Sequence, residues 1–277
     1  MAIERAFGAP YGFSMKRRTV LAATLIALAS VIPAGRQARA GDVPVIAAAS
    51  GVQPALEEIA AEFEAATARQ VSLAFGSSGN LTRQIRQGAP FQLFLSADEG
   101  FPLALAGEGF TRDRGVVYAT GRLALVVPHG SPLAADGTLE DLRAALAEGR
   151  VSRFAIASPI HAPYGIAARQ ALENAGLWAA IESRLVYGEN IAQAAQFAVS
   201  GSAEGGIVAG SLAGTPKLAA ISDVAPIPDA THAPLRHRMV LLTGAGETAE
   251  AFHDWLRGPE ARAIFERHGF RVPVDPS

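Results

Sequence analysis

The chain has 277 residues, with 24 Lys/Arg against 26 Asp/Glu, 49% hydrophobic side chains and no cysteine. Without cysteine there is no disulfide framework, thiolate metal site or cysteine nucleophile, so stability must come from a buried core. A slightly acidic balance with few aromatic residues argues against binding nucleic acid or an anionic membrane, both of which need a basic footprint.

The chain opens on a leader. Met15 is followed by Lys16-Arg17-Arg18, an apolar run from Val20 to Ile32, and Ala38-Arg39-Ala40. This reads as a secretory signal peptide over residues 1–40, cut before Gly41, with an apolar run too short to span a bilayer. Translation from Met1 or Met15, and export by the general or the twin-arginine route, both stay open. The leader holds six Lys/Arg against one Asp/Glu, which leaves 18 basic and 25 acidic side chains, a balance of −7, on the remaining 237 residues. No cysteine follows the leader, so no lipoprotein anchor is expected. That length suits two ordinary domains or one large one.

Apolar strand-like runs then alternate with amphipathic segments. Val43–Ala49 predicts a strand and Val52–Thr67 a helix, with apolar positions at Val52, Leu56, Ile59, Ala60 and Phe63. The unit repeats as strand 71–75 with a helix near 81–86, and strand 91–95 with a helix near 101–106. A second series begins with strand 122–127 and continues through helix 139–147, strand 154–157 and helices at about 165–176 and 191–199, with strands near 185–187 and 206–208. Residues 219–242 read as extended chain returning to the first series, and helices 248–256 and 259–268 close the sequence. Such alternation predicts an α/β fold with mostly parallel sheet flanked by helices.

In open parallel sheets ligands sit beyond the carboxyl ends of strands, where helix N-termini point into a crevice. Four strand-to-helix junctions are therefore candidates. Ala47-Ala48-Ala49-Ser50-Gly51-Val52 offers a hydroxyl and free N–H groups, although Ser50 also reads as a plain helix cap. Phe75-Gly76-Ser77-Ser78-Gly79-Asn80 offers two hydroxyls between glycines, a better anion cradle than a lone serine, or an ordinary capped turn. His161-Ala162-Pro163-Tyr164-Gly165 would donate backbone N–H groups around Tyr164, with the ring packing. Gly188-Glu189-Asn190-Ile191 would donate the N–H of Ile191, whose side chain reads as core. None of the four places Lys or Arg where an anion would sit, and a dehydrated dianion can be held by converging neutral dipoles alone.

Taken together, these residues resemble the periplasmic molybdate-binding proteins of ABC importers. The resemblance runs over nearly all of the chain after the leader: Ala47 to Ser50, Phe75 to Asn80, Arg83-Gln84-Ile85 with Gly88-Ala89-Pro90, Leu93 to Asp98, Pro163-Tyr164-Gly165, Gly206-Ile207-Val208, and the closing Leu256 to Glu260 with Ile264-Phe265 and His268-Gly269-Phe270. It implies a type II periplasmic binding protein fold, two α/β lobes with the ligand cleft between them: residues 41–120 plus 235–277 as lobe 1, and 121–234 as lobe 2. It implies Ser50 and Ser78 as hydroxyl donors, and Tyr164 and Ile191 as backbone N–H donors, to molybdate or tungstate. It further implies a periplasmic, non-enzymatic monomer that binds no nucleic acid, needs no cofactor or cationic metal, and hands its ligand to a membrane permease. One position departs from the pattern. Many members carry a tyrosine donor after the Gly-Ile-Val stretch, but this chain reads Ala209-Gly210, with Ser211 as a candidate substitute.

Rival readings have less support. A serine hydrolase using His161 or His237 lacks a Gly-x-Ser-x-Gly elbow. The six histidines are scattered without metal-ligand spacing. Protonated phosphate needs an acceptor in its site, and the four turns offer only Glu189. Sulfate differs from molybdate mainly in size, so it stays an alternative ligand.

Overall fold

The computed structural model describes residues 43–273, and the leader expected at 1–40 lies outside them. Strand β1 (Val45–Ala49) runs through a 3-10 turn, Ser50–Val52, into helix α1 (Gln53–Thr67). Strand β2 (Ser72–Gly76) feeds α2 (Ser78–Arg86), and β3 (Phe91–Ser96) feeds α3 (Gly100–Gly107). Strands β4 (Val116–Gly121) and β5 (Leu123–Pro128) follow with one residue between them. The next series is α4 (Glu140–Ala147), β6 (Phe154–Ala157), α5 (Pro163–Asn174), α6 (Trp178–Ile181), β7 (Leu185–Gly188), α7 (Ile191–Val199) and β8 (Gly206–Ala209). Short helices α8 (Gly210–Ala213) and α9 (Pro216–Ala219) precede β9 (Ser222–Pro226), β10 (Leu235–Leu241), α10 (Glu247–Leu256) and α11 (Pro259–Arg267).

The strands form two five-stranded sheets, ordered β2-β1-β3-β10-β4 and β7-β6-β8-β5-β9. The chain passes from the first sheet to the second at Arg122 and returns over residues 227–234, and the elements built around each sheet are called here the first and second half. The sheets are mixed, which corrects the expectation of mostly parallel pairing. Strand β10 is antiparallel to β3 and β4, and β5 is antiparallel to β8 and β9. Alternation of strands and helices identifies elements but not the direction of strands that arrive from the other sheet, and those are the antiparallel ones. Strand β4 was not anticipated from the sequence, because its run merges with β5.

Period-two alternation sorts the first sheet's side chains onto two faces. Ile46, Ala48, Leu93, Leu95 and Met239 pack with Leu56, Ile59 and Phe63 of α1, Phe252 of α10 and Phe265 of α11. Ala47, Phe94 and Val240 point the other way, onto Leu81 and Ile85 of α2 and Leu105 of α3. The 3–4 spacing of Leu56, Ile59 and Phe63 puts all three on the buried stripe of α1, where Phe63 meets Phe252 edge-on at 5.1 Å between ring centroids. Fully burying one such side chain is worth about 1.5–3 kcal/mol. The second half's core is continuous with Ala49 and Ala97 at the carboxyl ends of β1 and β3, so the halves share apolar packing where the site lies.

Candidate functional site

The four turns lie at the carboxyl ends of β1, β2, β6 and β7. The structure brings them together: Ser50, Ser77, Ser78 and Ala97 of the first half, with Ala162, Pro163, Tyr164 and Ile191 of the second, line one small cavity. No charged side chain lines it. The space open to the centre of a water-sized body is only about 10 Å3, far below the ~300 Å3 at which pockets for drug-sized ligands begin, so only a small ligand suits it. A larger depression of about 610 Å3, around Ser131, Arg153 and Glu204, is open to solvent and includes none of these turns. Size does not make it the site, because it has no convergent helix starts.

The double serine divides its labour. Ser77 is the N-cap of α2 and accepts from the N–H of Asn80 at 3.4 Å. Ser78, the first helical residue, is fully buried, and its Oγ accepts from the Ala97 N–H at 3.0 Å. That bond fixes the oxygen and leaves the hydroxyl proton to donate. As the first residue of a helix, Ser78 also carries an N–H with no intrahelical acceptor.

Ser50 does not cap α1, contrary to the plain reading of its turn. Val52 holds the cap position of α1 without a side-chain bond. The Ser50 hydroxyl instead crosses to the second half, donating to Asn190 Oδ1 at 3.0 Å and accepting from the Ala192 N–H at 3.3 Å. Asn190 in turn caps α7, accepting from the Gln193 N–H. Sequence reasoning singled out Ile191 and passed over Asn190 as a site residue, although an Asn ahead of an apolar helical run is a cap signal.

In the second half the candidate donors are main chain. Tyr164 is the second residue of α5 and Ile191 the first of α7, so both N–H groups are helix orphans by position. The Tyr164 ring is buried and its phenol hydroxyl lies 3.2 Å from His237 Nε2. Burial raises the phenol's pKa, so the hydroxyl keeps its proton.

The two halves touch directly around the cavity. The Gly79 N–H donates to the His161 carbonyl at 2.9 Å, and a Cβ on Gly79 would sit 2.7 Å from that oxygen. Ser77 Oγ lies 2.9 Å from His161 Nδ1. Asn80 Nδ2 donates to Glu189 Oε1 at 2.7 Å, so the only carboxylate of the four turns is held by an amide of the opposite half. Ser211 donates to the Gly51 carbonyl at 2.7 Å, which occupies the hydroxyl considered as a substitute donor.

The site lacks the parts of the rival readings. Burial and Arg83 push the pKa of His161 down, against the opposing pull of Glu189. Among the described residues no carboxylate hydrogen-bonds the ring of His161, and its partner Ser77 is a helix cap. His237 lies between two tyrosines without a serine. No group of three or more His, Asp or Glu among the described residues could hold a metal ion.

Comparison with known proteins adds independent findings. Residues 44–271 match the family described as "Bacterial extracellular solute-binding protein". The chain is 36% identical to the molybdate-binding protein ModA of Azotobacter vinelandii over 93% of its own length and 98% of that protein's. It is also 36% identical to the molybdate-binding protein ModA of Rhodobacter capsulatus, over 90% and 96%. The solved structure of the Azotobacter vinelandii periplasmic molybdate-binding protein superposes with a TM-score of 0.74 at 30% identity, covering 83% of this chain and 99% of that one. The periplasmic binding protein fold implied by the resemblance is thus the fold observed.

Proposed function

The chain belongs to the bacterial extracellular solute-binding proteins, and from that premise we propose that it captures molybdate, with tungstate as a second ligand, and delivers it to an ABC importer. As a member of this family it is a transport component and not an enzyme, and the oxyanion is its ligand and not a cofactor. The observation that carries the proposal is the convergence of four helix-start turns, two from each half, on one small cavity lined by uncharged groups. A tetrahedral dianion there would take hydroxyl donation from Ser78, N–H donation from Tyr164 and Ile191, and contacts from Ser50 once its hydroxyl turns from Asn190. Helix N-termini and neutral dipoles in a closed site supply the positive potential that an acidic chain lacks overall.

The same lining supports discrimination against phosphate. A protonated oxyanion needs an acceptor, and Glu189, the candidate acceptor, is bonded to Asn80 outside the cavity. Residues 41–120 plus 235–277 and residues 121–234 would move as two lobes about the crossings, closing on the ligand. The leader at 1–40 would direct a monomer to the periplasm, where it meets the permease.

Calorimetric titration with molybdate, tungstate, sulfate and phosphate tests the reading. Molybdate and tungstate should bind most tightly and raise Tm most, since ligand stabilises the native state in proportion to the logarithm of its excess over Kd. Tighter sulfate or phosphate binding rejects the choice of ligand.

A further inference from the structure

His237 is a fully buried histidine that the cavity does not use. It lies on β10, the strand that returns from the second half, opposite Ala119 of β4 and beside a shift in register at Arg238. Such irregularities re-aim side chains and recur next to functional sites. Its Nδ1 lies 3.3 Å from the Tyr118 hydroxyl and its Nε2 lies 3.2 Å from the Tyr164 hydroxyl. Tyr118 belongs to the first sheet, whereas Tyr164 is the second residue of α5 in the second half. The ring is also packed edge-on by Phe270 at 5.3 Å between centroids. A neutral imidazole has one donor and one acceptor nitrogen, so it can satisfy both phenols at once.

The place of this bond is what gives it meaning. Gly121 ends β4 where the chain first crosses to the second half, and a Cβ there would stand 2.1 Å from the Tyr164 hydroxyl and 2.9 Å from His237 Nε2. The phenol therefore reaches His237 only through room that a glycine leaves at the crossing. One residue, Tyr164, thus has its main chain on the cavity and its side-chain tip anchored to the first sheet beside the hinge.

We propose that His237 is a positioning residue for the oxyanion site: by holding the Tyr164 phenol it fixes the start of α5 against the first sheet and so sets where the Tyr164 N–H points. This rests on the reading of that N–H as a ligand donor. The bond links the halves without touching the ligand, so its loss affects how well the halves hold their donors in register.

Molybdate Kd and dissociation rate, together with the Tm of the ligand-free protein, test this in the full chain after removal of the leader. Tyr164→Phe removes one oxygen and keeps the ring, and it should raise Kd about fivefold, the usual worth of one hydrogen bond, chiefly through faster dissociation. His237→Leu should do the same, and the double variant should bind no more weakly than the weaker single one, because both remove one interaction. His237→Gln, whose amide reaches the position of Nε2, should bind within about twofold of the parent. Phe270→Leu serves as the control for loosened packing and should lower Tm with Kd unchanged. The inference is overturned by an unchanged Kd in Tyr164→Phe while Ser78→Ala weakens binding, by additive losses in the double variant, by a failure of His237→Gln to restore Kd, or by a rise in Kd in Phe270→Leu equal to that in His237→Leu. An unchanged Kd in Ser78→Ala would instead reject the site itself, and this inference with it.

Discussion

The two halves meet the cavity with different chemistry. On the proposed reading the first offers side-chain hydroxyls, those of Ser50 and of Ser78, whose oxygen is set by the Ala97 N–H. On the same reading the second offers main-chain N–H groups at the starts of α5 and α7, while the Tyr164 and Ile191 side chains pack against the first half, facing Gly51 at distances that would put its Cβ 3.2 and 3.3 Å away. A side-chain donor is lost by one ordinary substitution, whereas a main-chain donor survives every residue except proline. The first half should therefore lose affinity whenever a donor side chain is replaced, and the second half only where a change removes or displaces its main-chain donors.

Four outcomes would break or sharpen that contrast. The largest concerns the contact on which both halves depend. Gly79→Ala pushes a Cβ into the His161 carbonyl, and overpacking costs roughly 1–3 kcal/mol, so molybdate Kd should rise about thirtyfold. Equal affinity in the variant would mean that the halves need not meet there. Ser78→Ala deletes a hydroxyl whose oxygen is already fixed, and titration should show a loss of roughly tenfold or more, as for one hydrogen bond to a charged group.

The second half is best probed by a pair of changes. Asn190 has φ −142 and ψ 175, an extended conformation suited to the residue before a proline, and Ile191 is the first helical position, where proline is tolerated. Ile191→Pro should keep α7, read by circular dichroism, and weaken binding roughly tenfold through the lost N–H to a charged ligand. Ile191→Val keeps the N–H and should stay within about twofold. Equal losses in the two variants would show that the side chain, and not the main chain, matters at 191. The smallest effect is that of pH near neutrality. Burial pushes His237 from the ordinary value near 6.5 down to about 3, so the folded protein holds it neutral. Its contribution to stability is full above about pH 6.5 and is lost as pH falls toward about 3. Thermal unfolding of the ligand-free protein should show Tm level from about pH 6.5 to 8 and falling in acid, less steeply in His237→Leu. An equally steep fall in that variant would remove His237 from the account.

Much of the fold was legible because its signals are local. Helix α7 and strand β6 occupy the residues their periodicity predicts, and the junction turns announced themselves through glycine, serine and proline. Strand β4 was not legible, because only Arg122 separates it from β5 and hydropathy alone draws no border there. The antiparallel pairings of β5 and β10 depend on where the chain crosses between sheets, which no local pattern encodes. At the candidate site, sequence supplied the four turns but not their cross-links. The Ser50–Asn190 and Asn80–Glu189 bonds join residues 140 and 109 positions apart, and the roles of Ser77 and Ser78 differ by a single helical position. His237 stood out in sequence only as a rival catalytic base, and its bonds to two tyrosines were not legible, since those partners come from β4 and α5.

The uncharged lining also bears on unloading. An anion gripped by an arginine would leave a stranded cation behind, and that attraction would oppose its escape. Here, on the proposed reading, each half alone is only a pair of helix ends whose hydroxyls and amides water satisfies as readily as cargo does. A membrane partner that prised the halves apart would need to disrupt geometry and not to compensate charge, and the emptied protein would be ready at once for another round.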